Sequence, residues 1–261
     1  MLTNHKGEVA MITIQNYVRA QSLEEAWQLN QNKLNRILGG MLWLRLGSGN
    51  VNTAIDLCDL ELNTIEETED AFSIGAMTTL RDLEMHEGLN ALTRGAVRNA
   101  VKDIVGVQFR NMATVGGSIW GRFGFSDVLT VFLAMDCYVE LYKGGMIPLE
   151  QFAKMKKDND ILVRLIVKKT PCKIIYSSVR NQRTDFPVLA CAVSYMNGQY
   201  RASIGARPSR AMLVCSEKSE GFAAFVAENA PTEGNMRGSA TYRTHLIRVL
   251  VERSMNELGG M

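Results

Sequence analysis

Six residues, Ala113-Thr114-Val115-Gly116-Gly117-Ser118, constrain this chain more than any other stretch. Two adjacent glycines let a backbone pass close to a ligand, and the amides of such a turn can converge on an anion. The stretch lies between an amphipathic segment ending near Val107 and the pair Ser126-Asp127, and it reads as a pyrophosphate cradle. A second diglycine, Gly39-Gly40, follows the short run Arg36-Ile37-Leu38. The chain therefore offers two backbone-amide loops where a single-loop nucleotide binder would offer one.

The residues ahead of the first loop predict strand, helix, strand. Ile12 and Ile14 alternate with polar neighbours, and Ser22-Leu23-Glu24-Glu25 is a capping box for a helix striped by Leu23, Ala26, Trp27 and Leu29. The helix stops between Asn30 and Asn35, and Arg36 to Leu38 forms a brief strand that delivers Gly39-Gly40. That places loop amides at the carboxyl end of a strand, where open α/β sheets bind ligands. Gly47-Ser48-Gly49-Asn50 is a surface turn instead, because Asn52 holds the third glycine position of the dinucleotide fingerprint and Thr53 to Leu57 reads as strand. The P-loop pattern does not occur.

Further on, Phe72 to Ala76 predicts a strand and Thr78-Thr79 a capped helix. Leu92, Ala96, Val97, Ala100, Val101, Ile104 and Val105 recur at helical spacing up to Gly106 and predict one helix with a core face, Arg94, Arg98 and Lys102 being its solvated side. Asp127 leads into a helix through Met135, Cys137 to Tyr142 alternates as a strand ending at the turn Gly144-Gly145, and Ile161 to Val167 is another strand. Beyond Thr170-Pro171 the texture changes. Ile174 to Val179, Val188 to Met196 and Gln199 to Gly205 read as strands, with Asn197-Gly198 as a hairpin turn, and Phe222, Phe225, Val226 and Leu246, Val249, Leu250 stripe two helices. The expected organisation is a leader at residues 1–10 outside the fold, one unit over 11–169, and an α+β unit of antiparallel sheet and helices over 170–261.

Composition closes off several function classes. Hydrophobic residues at 46% and charged residues at 21% are those of a soluble globular chain. A net charge of +2 with no long run of like charge provides neither a nucleic-acid track nor a membrane-surface patch. Lys154, Lys156 and Lys157 form the densest basic cluster and read as a solvated loop. Five cysteines, Cys58, Cys137, Cys172, Cys191 and Cys215, include no C-x-x-C pair, which argues against a zinc site, an iron-sulfur site or a disulfide framework and fits a reducing cytoplasm. The longest apolar run, Val128 to Met135, is too short to span a bilayer. His5, His86 and His245 lack nearby partners in sequence, so neither a catalytic triad nor a metal site is expected and no catalytic residue is assigned.

Three motifs carry a family resemblance. The densest is Gln108-x-Arg110-Asn111-x-Ala113-Thr114-Val115-Gly116-Gly117-Ser118-Ile119 followed by Ser126-Asp127; the others are Arg207-Pro208-x-Arg210-Ala211 and Arg237-Gly238-Ser239-Ala240-x-Tyr242-Arg243. In this order they resemble the FAD-binding subunit, or medium chain, of the molybdenum hydroxylases, whose flavin subunits include those of xanthine dehydrogenase and carbon monoxide dehydrogenase. The resemblance extends from about Met11 to the C-terminus. It implies a mixed α/β fold: a two-lobed FAD-binding domain of the molybdopterin dehydrogenase flavoprotein type, then a smaller C-terminal domain of antiparallel sheet plus helices. It also implies that both glycine loops hold the FAD pyrophosphate, with contacts at Leu38, Gly39, Gly40, Met41 and Leu42 and at Thr114, Val115, Gly116, Gly117 and Ser118. Asp127 matches an aspartate that approaches the cofactor, with a helix N-cap as its plainer role, and Leu162 matches an apolar neighbour of the cofactor.

The chain departs from the family pattern in places. The first loop usually reads A-G-G-T-D-L but is Leu38-Gly39-Gly40-Met41-Leu42-Trp43 here, so side-chain hydroxyl and carboxylate contacts are lost while backbone amides survive. Ser118 replaces an asparagine, Ser177 stands at a lysine position, and Asn181 follows Arg180 where arginines pair. The resemblance implies an electron-transfer subunit that takes electrons from a small iron-sulfur subunit and passes them from FAD to NAD+ or another acceptor, with a molybdopterin-binding subunit supplying the oxidation chemistry. The alternatives are a stand-alone FAD oxidoreductase and a non-catalytic assembly subunit that has lost FAD.

Overall fold

The structure, a computed structural model, describes residues 11–259; the leader expected at 1–10 lies outside them. The first lobe is built from β1 (Thr13–Arg19), α1 (Leu23–Asn30), β2 (Arg36–Leu38) and β3 (Asn50–Asp56). Both outer strands run parallel to β3, in the order β1-β3-β2. Ser22 Oγ accepts the Glu25 amide at 3.1 Å, while the Glu25 carboxylate accepts from the Gln21 amide, one residue earlier than a capping box would have it. Ala20, Ala26, Ile55 and Leu57 form the core under α1.

The second lobe is an antiparallel sheet with helices inserted between its strands. β4 (Ile65–Glu67) and β5 (Ala71–Gly75) are followed by six short helices, α2 (Leu80–Met85), α3 (Glu87–Leu92), α4 (Ala96–Val101), α5 (Val107–Arg110), α6 (Val115–Trp120) and α7 (Asp127–Leu133). Then come β6 (Cys137–Leu141), β7 (Gly145–Pro148), α8 (Leu149–Lys154) and β8 (Leu162–Lys168), which completes the strand order β4-β5-β8-β6-β7.

The single helix expected up to Gly106 is broken. Arg94 and Gly95 adopt φ of +49° and +80°, and the Gly95 amide closes back on the Asn90 carbonyl at 2.8 Å. Buried Asn90 then receives the Arg98 amide on Oδ1 and gives Nδ2 to the carbonyls of Glu84 and His86, so one side chain serves three helices. Val105, expected in the core, is half exposed at φ +51°. His86 is not a free surface group, since its Nδ1 accepts the Leu89 amide and caps α3.

Arg110 of the densest motif is a structural residue. Its Nε meets Glu84 Oε2 at 2.8 Å, and Arg81 reaches the same carboxylate at 2.9 Å. Burial pushes the Glu84 carboxyl up, but the hydrogen bonds and charges of Arg110 and Arg81 outweigh it and hold the group below the ordinary carboxylate range. A carboxylate whose folded pKa is depressed stabilises the fold above its unfolded pKa, and loses that contribution as pH falls through the folded value. Glu84→Gln is therefore expected to cost about 3 kcal/mol at neutral pH, because it leaves a buried guanidinium without its counter-charge. Thermal unfolding followed from neutral pH to about pH 3 should show the gap between variant and wild type closing on the acid side.

The C-terminal part is a four-stranded antiparallel sheet, order β12-β11-β10-β9, made of β9 (Cys172–Arg180), β10 (Pro187–Met196), β11 (Gln199–Gly205) and β12 (Met212–Ser216). Asn197 and Gly198 both take positive φ, which is the geometry of the two-residue hairpin. β10 is buried on both faces. Ala190 and Ala192 pack on the core of the second lobe, and Leu189, Cys191 and Val193 pack on α9 (Phe222–Asn229) and α10 (Ala240–Gly259). Phe222 and Val226 of α9 are buried as expected, whereas Phe225 is half exposed. Arg243, the last residue of the third motif, is 1% exposed and donates to the carbonyls of Val188, Glu233 and Gly238 and to Asn235 Oδ1. It ties the start of α10 to β10. Among the described residues no helix is long and apolar enough to cross a membrane.

Candidate functional site

The two glycine loops touch. A Cβ on Gly40 would lie 1.8 Å from the Met112 carbonyl oxygen, and one on Gly39 would lie 2.9 Å from Thr114 Oγ1, so glycine at 39 and 40 is what allows the contact. β2 delivers the first loop, whereas the second stretch, expected as a turn, is the first turn of α6 with Thr114 as its N-cap.

Their amides are in different states. In the second loop, the Val115 amide donates to the Thr78 carbonyl at 2.9 Å and the Gly116 amide to the Ala76 carbonyl at 2.7 Å. The Gly117 amide donates to Thr114 Oγ1, and the amide and hydroxyl of Ser118 both donate to the Thr114 carbonyl. Four consecutive amides read from sequence as convergent donors thus have partners inside the protein. Open donors lie elsewhere. Among the described residues the amides of Gly40, Met41, Leu42 and Thr114 have no protein acceptor. Three of these four donors belong to the loop that lacks polar side chains. Met41 sits at φ +57°, where the threonine usual in the family would be strained.

Two cavities meet at these loops. One, of about 330 Å³, is lined by Gly40, Met41, Leu42, Ser118 and Asp127 together with the rings of Trp43, Phe123, Phe125 and Phe186. The other, of about 470 Å³, is lined by Leu38, Gly116 and Leu162 with the polar side chains of Asn30, Asn32, Asn35, Lys157 and Asp158. Gly39, Thr114 and Gly117 line both. Of the expected site residues only Val115 lines neither; it is fully buried at the start of α6. Lys157, read from sequence as part of a solvated loop, lies on the polar cavity, where burial and the nearby charges of Arg122 and Arg210 lower its pKa.

Asp127 is not the N-cap of α7; that role falls to Ser126, whose Oγ accepts the Leu129 amide at 3.1 Å. The Asp127 carboxylate instead pairs with Arg180 at 2.8 Å and accepts a hydrogen bond from the Tyr176 hydroxyl, all three groups being buried or nearly so. Burial pushes the Asp127 carboxyl up against the opposing pull of Arg180 and Tyr176, and it pushes the Tyr176 phenol well above its ordinary value. Arg180 lines the apolar cavity, and its buried Nε has no partner among the described residues. Arg237 closes the arrangement with an ion pair to Asp185 at 3.3 Å and its guanidinium 5.0 Å from the Phe186 ring.

Arg180, Tyr176 and the aromatic rings are functional-site candidates that sequence reasoning did not assign. The one local signal for them was Phe123-x-Phe125 just ahead of Ser126-Asp127, an aromatic pair with no place in a strand or helix pattern.

This set of groups fits a dinucleotide with one aromatic and one polar end. Open amides beside a glycine contact suit a diphosphate, the ring-lined cavity suits a planar apolar group, and the asparagine-lined cavity suits a sugar and base.

Residues 11–169 match the family described as FAD binding domain in molybdopterin dehydrogenase. Among curated proteins, the chain is 25% identical over 253 residues to the uncharacterized protein YgfM of Escherichia coli strain K12, covering 91% of this chain and 94% of that one. It is also 25% identical over 277 residues to the glyceraldehyde dehydrogenase medium chain of Sulfolobus acidocaldarius, covering 93% and 97%. Among solved structures, a chain of reconstituted CO dehydrogenase from Oligotropha carboxidovorans superimposes with a TM-score of 0.82 at 19% identity over 98% of both chains. One from the carbon monoxide dehydrogenase of Hydrogenophaga pseudoflava gives 0.80 at 22% identity over 92% and 96%. At such identities the structures speak for a shared fold.

Proposed function

The chain belongs to the family of FAD-binding domains of molybdopterin dehydrogenases, and we propose that it is the FAD-carrying electron-transfer subunit of a molybdenum hydroxylase complex. The observation that carries this reading is the pair of unlike cavities joined at Gly39, Thr114 and Gly117. In it, the open amides of Gly40, Met41, Leu42 and Thr114 would hold the diphosphate, the aromatic cavity would take the flavin ring, and the polar cavity would take the adenosine. Leu38 and Leu162 form apolar wall on the adenosine side, and Asp127 reaches the flavin side through its pair with Arg180.

When bound, FAD supplies the redox chemistry, holding one or two electrons. The chain's own residues do the rest. Backbone donors fix the diphosphate without a side-chain base, the aromatic rings exclude water, and Arg180 keeps a fixed positive charge beside the ring cavity. Neither a nucleophile nor a general base is needed. Electrons come from an iron-sulfur subunit and leave to an acceptor such as NAD+, while a molybdopterin-binding subunit oxidises the substrate. We further propose that residues 11–169 form the FAD-binding unit and 170–261 the C-terminal one, with Arg180 and Asp185 contributed across that division.

Purification at native expression, with released flavin quantified, tests the reading. The expected result is a yellow protein carrying FAD, recovered with a molybdopterin chain and a small iron-sulfur chain. A colourless protein whose unfolding temperature does not respond to added FAD would overturn it.

A further inference from the structure

Resting on the flavin reading above, we propose that Trp43 is the ring-contact residue of the apolar cavity, stacking on the bound flavin and quenching its emission. Trp43 comes directly after the first glycine loop, so its position is tied to the diphosphate contact. Its ring centroid lies 5.7 Å from that of Phe186 at an interplanar angle of 27°, and 5.6 and 5.9 Å from those of Phe125 and Phe123. Phe123 and Phe125 stack on one another at 5.2 Å and 7°. These rings come from three separate segments and all line the same cavity. Despite three aromatic neighbours, Trp43 remains 46% exposed. An indole packed among phenylalanines yet still nearly half exposed has surface to offer a planar aromatic ligand.

Trp43 also differs in kind from its neighbours. An indole gives up an electron readily and a phenyl ring does not, so among the four rings only Trp43 can quench an excited flavin by electron transfer. In that event one electron passes from the indole to the photoexcited ring and returns in the dark, leaving both unchanged. Trp27 of α1 lines neither cavity and lies beside Lys143, so it serves as a control.

The test compares wild type, Trp43→Phe, Trp43→Leu and Trp27→Phe by FAD bound per chain, unfolding temperature, and the emission intensity and lifetime of the bound flavin. Trp43→Phe keeps the aromatic packing, so FAD content and unfolding temperature stay close to wild type while emission and lifetime rise several-fold. Trp43→Leu also loses the stack and binds FAD roughly fivefold more weakly, the size of one aromatic pair. Trp27→Phe leaves the emission per bound flavin as in wild type. Bound FAD with unchanged emission in Trp43→Phe, or FAD binding undiminished in Trp43→Leu, overturns the role of Trp43 and leaves the flavin reading standing. A wild-type chain that takes up no FAD overturns both.

Discussion

Gly117→Val is expected to give a folded protein that no longer retains FAD through purification. A Cβ at position 117 would meet only Thr114 Oγ1, at 3.1 Å, so the helix and the core behind it accept the change. The same position lines both cavities, so a branched side chain there takes up space at the wall they share. Overpacking of this kind costs about 1–3 kcal/mol, which weakens binding by roughly tenfold to a hundredfold. Gly40→Ala is the instructive contrast. Its Cβ would overlap the Met112 carbonyl, a backbone group that cannot move aside, so that variant loses the contact between the loops and much of its stability as well. Released-flavin content measured alongside thermal unfolding separates the two outcomes.

The second large effect is expected at Arg180→Met. The substitution leaves the buried Asp127 carboxylate without its counter-charge, at a cost of about 3–5 kcal/mol. For a chain of this size that is a fall of roughly 10 °C in unfolding temperature. The underlying shift is opposite to that at Glu84, where the carboxyl is held down, although both deficits shrink on the acid side. Burial already pushes the Asp127 carboxyl up, and without Arg180 it rises further. A carboxyl that binds its proton more tightly folded than unfolded gains stability as pH falls. The deficit of Arg180→Met should therefore shrink on mild acidification, and Asp127→Asn combined with Arg180→Met should recover most of the loss at neutral pH. An unfolding temperature unchanged by Arg180→Met would remove the pair from this account.

The elements that followed local rules were legible in the sequence. The capped α1, the alternating strand β6, the apolar runs of β9 to β11, and the Asn197-Gly198 turn all depend on residues a few positions apart. So did the family, because its motifs are contiguous runs. The helix broken after Leu92 was hidden because an apolar repeat at helical spacing continues across the break, and nothing local reveals that the Asn90 side chain will be shared among three helices. β4, β7 and β12 are short, and each is held by a neighbour rather than by its own alternation.

At the candidate site the split is similar. The two diglycines were visible, and so was the idea that they act together. The state of their amides was not, since it depends on Ala76 and Thr78, which lie far from the second loop in sequence and accept two of the donors in the motif. The ion pair of Asp127 with Arg180 and the cluster around Trp43 are likewise products of folding. Each brings together residues from both sides of the change in texture near residue 170.

The central claim is that one ligand spans both cavities across the shared wall at Gly39, Thr114 and Gly117. Titration of the flavin-free protein with FAD, FMN and ADP, read by calorimetry, tests it most directly. FAD is expected to bind one per chain and far more tightly than either fragment, because FMN can fill only the aromatic cavity and ADP only the polar one. FMN or ADP binding as tightly as FAD, or no binding of FAD at all, would contradict it.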